Sequence, residues 1–463
     1  MKAVVLAGGK GTRLRPLTYT KPKPLLPLAG EPAIARLVQK LAREGIDEVI
    51  VTTNYFAKQL HETLGDGSSY GVRIRHVEEK TPLGTAGSVK NSESLIHETF
   101  AVIQGDNQFE FHVNDIANLH RKLDAIATLA VIRVENPSEY GIVEVTDGRV
   151  TRFLEKPSAQ ECFSNMINTG IYVLEPEALK LIPKEKPFDF SRDLFPRMLD
   201  SKMVLAGSPM SGFWVDMGDP RSYLRANAWA LDSIEAEKGS KKKDSATERF
   251  ADTISDAATL RRPVHLGKDV RIGKDAVVGP YACIGDGSEI SVGAKIAFSV
   301  VYENTRIGAN TVLDTCVVAE NCRIGDRVEI ERDTVVGAGT EVGDGSHLTV
   351  QSRVGPFVVV QPHTVVEGTV TAFEKDIERI CRLLEKAHAG FGLTHEEAKV
   401  CGTLCELGEA DARTVTRFTN FSYSRTLSVL TGLQERGIAV SFGSIPKMYA
   451  LAREEVKDAR SSS

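Results

Sequence analysis

Between Leu266 and Val354 an aliphatic residue followed by glycine keeps returning: Leu266-Gly267, Ile272-Gly273, Val278-Gly279 and Ile284-Gly285, then Val292-Gly293, Ile307-Gly308, Ile324-Gly325, Val336-Gly337, Val342-Gly343 and Val354-Gly355. The first four pairs stand six residues apart, and several later spacings are multiples of six. A six-residue period is the signature of a parallel β-helix, in which three short strands complete a turn and the aliphatic side chains stack inside. The repeat therefore divides the chain. It predicts a first domain over residues 1–232, a linker over 233–258, a β-helix over 259–370 and a small helical domain over 371–459.

The first region has a different pattern. Short β-branched runs (Val4-Val5-Leu6, Glu48 to Thr52, Phe100 to Ile103) alternate with helical patterns over Ile34 to Arg43, Phe56 to Leu64 and Val113 to Leu123. Alternation of this kind means βαβ units and an open, largely parallel α/β sheet. Ligands of such sheets sit beyond the carboxyl ends of the strands, so the residues that follow each run matter most. Ser233 to Ala251 is charged and poor in large apolar residues, which suits a linker that is helical in its first part.

A chain of 463 residues is too long for one core, and about three domains are expected. A formal net charge of -5 excludes a protein that coats nucleic acid along its whole surface, but it permits a local basic patch. No apolar run approaches the ~20 residues that span a membrane. The apolar stretch at the N-terminus is too short for a signal peptide, so the cytoplasm is expected. Seven cysteines, scattered from Cys162 to Cys405, read as reduced, packed thiols. Cys401, Cys405 and the nearby His395 could approach a metal site, but a free cysteine is more often a small buried hydrophobe.

The densest chemical motif is Leu6-Ala7-Gly8-Gly9-Lys10-Gly11-Thr12-Arg13-Leu14, directly after the first strand. Its glycines let backbone N–H groups approach phosphate oxygens, and Arg13 adds a planar cation for the same charge. It is neither a Walker loop, which needs Gly-Lys-Ser/Thr after four intervening residues, nor the dinucleotide fingerprint, since Leu14 stands where a third glycine belongs. In Lys21-Pro22-Lys23-Pro24-Leu25-Leu26-Pro27 the prolines stiffen the loop and aim Lys23 in a fixed direction.

The run from Leu6 through Pro27 resembles the signature of the sugar-1-phosphate nucleotidyltransferases, which include glucose-1-phosphate thymidylyl- or uridylyltransferases and mannose-1-phosphate guanylyltransferases. The resemblance covers roughly the first 230 residues and implies a Rossmann-like domain. It implies that Leu6, Gly8, Gly9, Gly11 and Thr12, with Arg13, hold the nucleoside triphosphate, and that Lys23 contacts the phosphates at the reacting centre. Pro82-Leu83-Gly84-Thr85-Ala86 resembles the loop that receives the base, so Gly84 and Thr85 are expected there; Pro82 to Gly87 looks slightly more like the guanylyltransferases. Gly105-Asp106-Asn107 and Trp214-Val215-Asp216-Met217-Gly218 resemble the two metal-binding segments, with Asp106 and Asp216 as ligands. Tyr140-Gly141, Glu155-Lys156-Pro157 and Asn168-Thr169-Gly170 resemble the sugar-binding segments.

Physical chemistry suits these roles. Transfer to an α-phosphate develops negative charge on non-bridging oxygens and on the departing pyrophosphate, and a protein mainly positions the groups and neutralises charge. Mg²⁺ needs one or two carboxylates plus substrate oxygens. The expected activity joins a nucleoside triphosphate to a hexose 1-phosphate, with catalysis by Arg13, Lys23 and Asp106.

The glycine repeat resembles the left-handed hexapeptide-repeat family, whose flat faces imply a homo-oligomer. An acyltransferase is the other implication, with His347 and His363 as the late histidines, though neither sits in a recognisable catalytic motif. The stretches Leu393 to Lys399, Ala412 to Arg417 and Ser424 to Leu430 resemble archaeal winged-helix transcription regulators of the TrmB type. That resemblance makes Tyr423 to Arg436 a recognition helix, with Ser424 and Arg425 facing DNA. Its strands are expected at Ile438 to Phe442 and Lys447 to Leu451, and Thr394 with Glu397 reads as a capping box. Between Asp411 and Lys447 five basic residues meet two acidic ones, a modest footprint for DNA. A nucleotide-sugar-sensing regulator, or a bifunctional protein, is the rival to the enzyme. The enzyme is favoured because a sensor would have no need of Asp106 and Asp216.

Overall fold

The computed structural model describes residues 1–54, 56–239 and 253–371, and beyond these 396–397, 400–401, 403, 410–419, 422–435, 439–442 and 448–451. The chain separates into two compact units, one built around residues 1–245 and the other around the repeat and the C-terminal region.

In the first unit the elements run β1 (Lys2–Leu6), α1 (Ala33–Arg43), β2 (Glu48–Thr53), α2 (Ala57–Leu64), β3 (Arg73–Glu78), α3 (Gly84–Asn91), β4 (Phe100–Gln104), β5 (Asn107–Phe109) and α4 (Val113–Lys122). They continue β6 (Ala127–Arg133), β7 (Gly141–Thr146), β8 (Arg149–Glu155), β9 (Met166–Leu174), α5 (Phe195–Asp200), β10 (Leu205–Pro209), β11 (Trp214–Asp216) and α6 (Pro220–Gly239). Nine strands form one sheet in the order β3-β2-β1-β4-β9-β6-β10-β8-β7. The first four are parallel, as the alternation predicts. The far half is mixed, because β9 pairs antiparallel with both β4 and β6.

Successive residues of β1 serve opposite faces. Ala3 and Val5 join the core under α1 and α4, whereas Val4 joins the core with Phe100, Tyr172, Phe190 and Phe195. Both faces are covered, which is why these strands read as unbroken apolar runs. Full burial of one such side chain contributes roughly 1.5–3 kcal/mol. The helix α6 extends to Gly239, so the first part of the expected linker is helical.

The second unit carries three parallel sheets of seven, seven and six short strands, the arrangement of a parallel β-helix. The aliphatic positions stack in register, as in Ile290↔Ile307, Ile307↔Ile324 and Ile324↔Val342. All four are buried. Residues on neighbouring coils are 18 apart at one end of the solenoid and 17 apart in its middle. The shorter coils omit one residue, which breaks the period of six and gives the 17-residue gap between Ile307-Gly308 and Ile324-Gly325. Val292-Gly293 does not belong to the stack, because Val292 is exposed and Ile290 fills the inward position of that coil.

Inside the coils lies a second stack that the aliphatic pattern hides. Ser288, Thr305, Thr311, Thr334, Thr340, Ser346 and Ser352 are buried, and each hydroxyl donates to a carbonyl on the next coil. Several also accept a backbone N–H from that coil: Thr305 from Cys322, Thr311 from Val328 and Ser346 from Thr364.

The C-terminal region contains α7 (Ala412–Thr419) and α8 (Tyr423–Glu435) beside a three-stranded antiparallel sheet. Two of its strands, Ala439–Phe442 and Met448–Leu451, begin one residue later than expected. The third, Ala410–Asp411, was not anticipated: a two-residue strand carries no periodicity to read. Val415, Thr419, Thr426, Val429, Leu430 and Leu433 are buried in this region. Cys401 is buried, but Cys405, His395 and the capping residue Thr394 lie outside the described residues.

Candidate active site

The glycine loop leaves β1 at Leu6, where the Gly105 N–H donates to the Leu6 carbonyl (2.9 Å) and so sets the loop beside the Asp106 turn. Gly9, Lys10, Thr12 and Arg13 are exposed, and Leu6, Gly8 and Gly11 half-buried. Gly11 has φ +60°, and a Cβ there would stand 2.9 Å from the Thr18 methyl and 3.2 Å from the Lys23 Cβ. Only glycine lets the loop fold back onto the Lys23 segment. The Arg13 guanidinium reaches the far side of the site, 2.8 Å from where a Cβ on Gly218 would lie.

Lys23 is nearly buried, and its ammonium lies between two carboxylates: it pairs with Asp106 Oδ2 and, at 2.8 Å, with Asp216 Oδ1. The aspartates come from the two arms of a ribbon in which β5 and β11 pair antiparallel, with Asp216 opposite Asn107. Burial alone would push the Lys23 ammonium down, but the two carboxylates outweigh it and hold the group above its ordinary value. Burial, reinforced by Asp216, pushes the Asp106 carboxyl up despite Lys23. Asp106 Oδ1 is buried with no hydrogen-bond partner. Two converging carboxylates with a free hard oxygen, beside an open loop for phosphate, fit a divalent cation such as Mg²⁺ that takes its remaining oxygens from substrate and water. Among the described residues no cluster of three or more His, Cys, Asp or Glu side chains could hold a metal by itself.

The sugar-binding candidates meet on the strand pair β7–β8, where Gly141 lies opposite Glu155. A Cβ on Gly141 would stand 2.7 Å from Glu155 Oε2, so glycine keeps that carboxylate in place. Lys156 is exposed with φ +48°, and its N–H donates to the Tyr140 carbonyl (3.0 Å). Burial, then Asp189, raises the Glu155 carboxyl above its ordinary value. A carboxyl raised by folding holds its proton more tightly in the native state, so it costs stability above its ordinary value of 4.5 and costs nothing below it. Glu155→Gln should therefore raise the melting temperature near pH 7, and the gain should vanish as pH falls below about 4. Thermal melts across that range check it.

Other candidates are turned inward. Asn168 donates to the Tyr172 hydroxyl (3.0 Å) and Ser191 Oγ (3.2 Å), and Thr169 donates to the Ala130 carbonyl (2.8 Å). The Thr169 carbonyl accepts from Asn107 Nδ2 (2.6 Å), tying this segment to the Asp106 turn. Thr85 donates to Asp189 Oδ2 (2.8 Å) and accepts from the Phe190 N–H (3.0 Å). Gly84, with φ +70°, lets the segment close on the Phe188 carbonyl. These side chains are occupied in positioning the loops, and a substrate would meet backbone there.

Sequence reasoning missed Asn107 as the link to Thr169 and Asp189 as the partner of Thr85. Asn107 stands in the Gly105-Asp106-Asn107 segment, where only Asp106 was given a role, and Asp189 sits in no motif. Ser424 and Arg425 lie in the second unit at the start of α8, which Ser422 caps. Both are exposed, but the Arg425 guanidinium is engaged by Glu396, with Nε 2.8 Å from Oε2. His347 pairs with Glu331 at 2.8 Å, and no histidine other than His363 follows it in the repeat.

The chain is similar to known proteins over its first half and over its repeat. The nucleotidyl transferase family model matches residues 2–233, and the model of the GMPPB C-terminal domain matches residues 260–358. The chain is similar to the UTP–glucose-1-phosphate uridylyltransferase of Synechocystis, 36% identical over 49% of this chain and 62% of that protein. It is similar also to the mannose-1-phosphate guanyltransferase of Saccharomyces cerevisiae, 35% identical over 50% of this chain and 66% of that protein. The mannose-1-phosphate guanylyltransferase of Mycobacterium tuberculosis is 38% identical over 49% of this chain and 63% of that protein. The match thus spans somewhat less than two thirds of each relative's length. With its glycine loop, its Lys23 segment and both aspartate segments inside the matched range, the chain belongs to the nucleotidyl transferase family.

Proposed function

We propose that the chain is a Mg²⁺-dependent sugar-1-phosphate nucleotidyltransferase, making a nucleoside diphosphate sugar and pyrophosphate from a nucleoside triphosphate and a hexose 1-phosphate. The observation that carries this reading is the convergence of Lys23, Asp106 and Asp216 beside the glycine loop and Arg13. A phosphate oxygen of the sugar phosphate attacks the α-phosphorus, a new P–O bond forms, and the bond to the bridging oxygen of the β-phosphate breaks. The nucleophile is already anionic, so no proton has to be removed. Arg13 and Lys23 neutralise the charge that shifts onto the non-bridging oxygens and the leaving group. When bound, Mg²⁺ held by Asp106 and Asp216 would add charge neutralisation of the same kind. Glu155 would accept from sugar hydroxyls, and Lys156, exposed beside it, would meet the sugar phosphate.

The names of the relatives support a sugar 1-phosphate as acceptor. The repeat is proposed to be a left-handed β-helix that assembles a homo-oligomer, the C-terminal region a winged helix, and the cytoplasm the place of action. DNA binding through Ser424 and Arg425 is the weaker reading, because Glu396 already neutralises the arginine.

The test is pyrophosphate release with Mg²⁺ across ATP, CTP, GTP, UTP and dTTP and several hexose 1-phosphates. Release that requires both substrates and falls at least 100-fold in Asp106→Asn is expected. Silence across the grid, with nucleotide-sugar binding retained, would replace the enzyme by the sensor.

A further inference from the structure

The repeat presents three outer faces, and they differ in what they have left to bind. One seven-stranded sheet contains the pairs Val300-Val301, Val317-Val318 and Val335-Val336, and all six residues are buried, so that face is already covered. On the six-stranded sheet the charges meet one another: Glu289 pairs with Arg271 (3.1 Å) and with Arg306 (3.2 Å). The other seven-stranded sheet turns Ile296, Leu313, Ile330 and Leu348 inward, and the alternate positions face out. Its outward column runs from Thr259 to Val365 through Lys295, Val312 and Glu329, which stand in register on three successive coils.

Four of the seven large apolar side chains exposed among the described residues lie on this face or at the corner that ends it: Phe298 (45%), Val312, Val350 and Val365 (60%). Single exposed apolar groups are ordinary, but several gathered on one sheet face mark a surface for a partner. Among the described residues Lys295 and Glu329 form no ion pair. Beside Val312 the face holds a cleft of about 390 Å³ whose walls include Glu329, Glu331, Arg332 and Val350.

We infer that this sheet is the contact between two copies of the chain, packed face to face with their solenoid axes antiparallel, an inference that rests on the reading of the repeat as an assembly module. Val312 stands on the fourth of the seven strands. A twofold axis beside it, parallel to the strands, reverses the order of the coils. It lays the sheet on its counterpart over the whole length, roughly 30 Å at the usual strand spacing. Val312 then meets Val312 of the partner subunit, and one coil to either side Lys295 meets the partner's Glu329. Symmetry makes that pair twice. Residues three positions further on follow the same exchange, so Phe298 meets the partner's Arg332 at the mouth of the cleft, where a ring beneath a guanidinium is favourable. Any packing with parallel solenoid axes sets equal coils side by side, Lys295 against Lys295 and Glu329 against Glu329. Charge therefore selects the antiparallel arrangement.

The experiment is sedimentation equilibrium of the full chain, where the wild type is expected to dimerise at low micromolar concentration. Lys295→Glu should weaken that association about 100-fold, because both symmetry-related pairs become repulsions. Glu329→Lys should do the same. The double exchange, Lys295→Glu with Glu329→Lys, should return it to within about threefold of the wild type. Both side chains are exposed, and circular dichroism checks that each variant is folded. In parallel packing a single exchange only turns one like-charged pair into another, so undiminished association in both single variants would overturn the proposal. Cysteine cross-linking gives a second reading. Oxidation of mixed Lys295→Cys and Glu329→Cys chains should yield the mixed disulfide, and cross-links of each variant only to itself would sink the antiparallel arrangement. A wild type that assembles with no response to any of these changes places the interface elsewhere and leaves the homo-oligomer standing. A wild type that stays monomeric removes the assembly reading beneath the proposal and leaves the face to a different protein.

Discussion

A Lys23→Met protein should turn over about 100- to 1,000-fold more slowly than the wild type, the cost of removing one fixed cation from developing phosphate charge. Methionine keeps the apolar stem and deletes only the charge. The same change leaves Asp106 and Asp216 facing each other without the ammonium that now separates them. Breaking a buried ion pair from one side costs about 3–5 kcal/mol, so the melting temperature should fall as well. Added Mg²⁺ should restore part of that stability without restoring the rate, because a cation can hold the carboxylates apart but cannot replace the amine on the phosphates. Pyrophosphate release and thermal melting, each with and without Mg²⁺, check the two halves separately. A variant with normal turnover would remove Lys23 from the reaction.

Thr305→Val should destabilise the repeat by roughly 2–6 kcal/mol although it changes almost no volume. The hydroxyl donates to the Ala319 carbonyl (3.0 Å) and accepts the Cys322 N–H (3.2 Å), both inside the solenoid. Valine orphans one buried acceptor and one buried donor on the next coil, at about 1–3 kcal/mol each. Thr305→Ser, which keeps the hydroxyl, should cost under about 1.5 kcal/mol. Urea denaturation followed by circular dichroism measures both, and equal midpoints for the two variants would show that water or relaxation replaces the lost bonds.

The repeat was legible because stacked coils demand the same residue type at the same place, and nine of the ten aliphatic-glycine pairs repeat that demand, Val292 being exposed. The parallel half of the nine-stranded sheet was legible from its apolar runs. The antiparallel far half was not, because β9 with its nine residues looks like any buried strand and its partners are chosen by topology. Asp106 and Asp216 are 110 positions apart in sequence. Only the resemblance joined them, and nothing local announces the ribbon that sets them side by side. Lys23 was expected to face phosphate; that it also bridges the two aspartates follows from tertiary packing. Thr85, Asn168 and Thr169 show the limit of a motif, which marks where a loop matters but not whether side chain or backbone does the work.

The hydroxyl ladder inside the solenoid has a consequence for how such a chain can change its length over time. Each rung donates to the next coil and several also accept from it, so a coil is the smallest unit that can be gained or lost with all bonds restored. A single inserted residue has only the corners to go to, where Asn304, Asn310 and Asn321 already adopt left-handed backbone. Variation between the 17- and 18-residue spacings is what such corners can absorb. Length along the axis is therefore quantised, and descendants of this chain would differ there by whole turns or by corner residues, seldom by anything between.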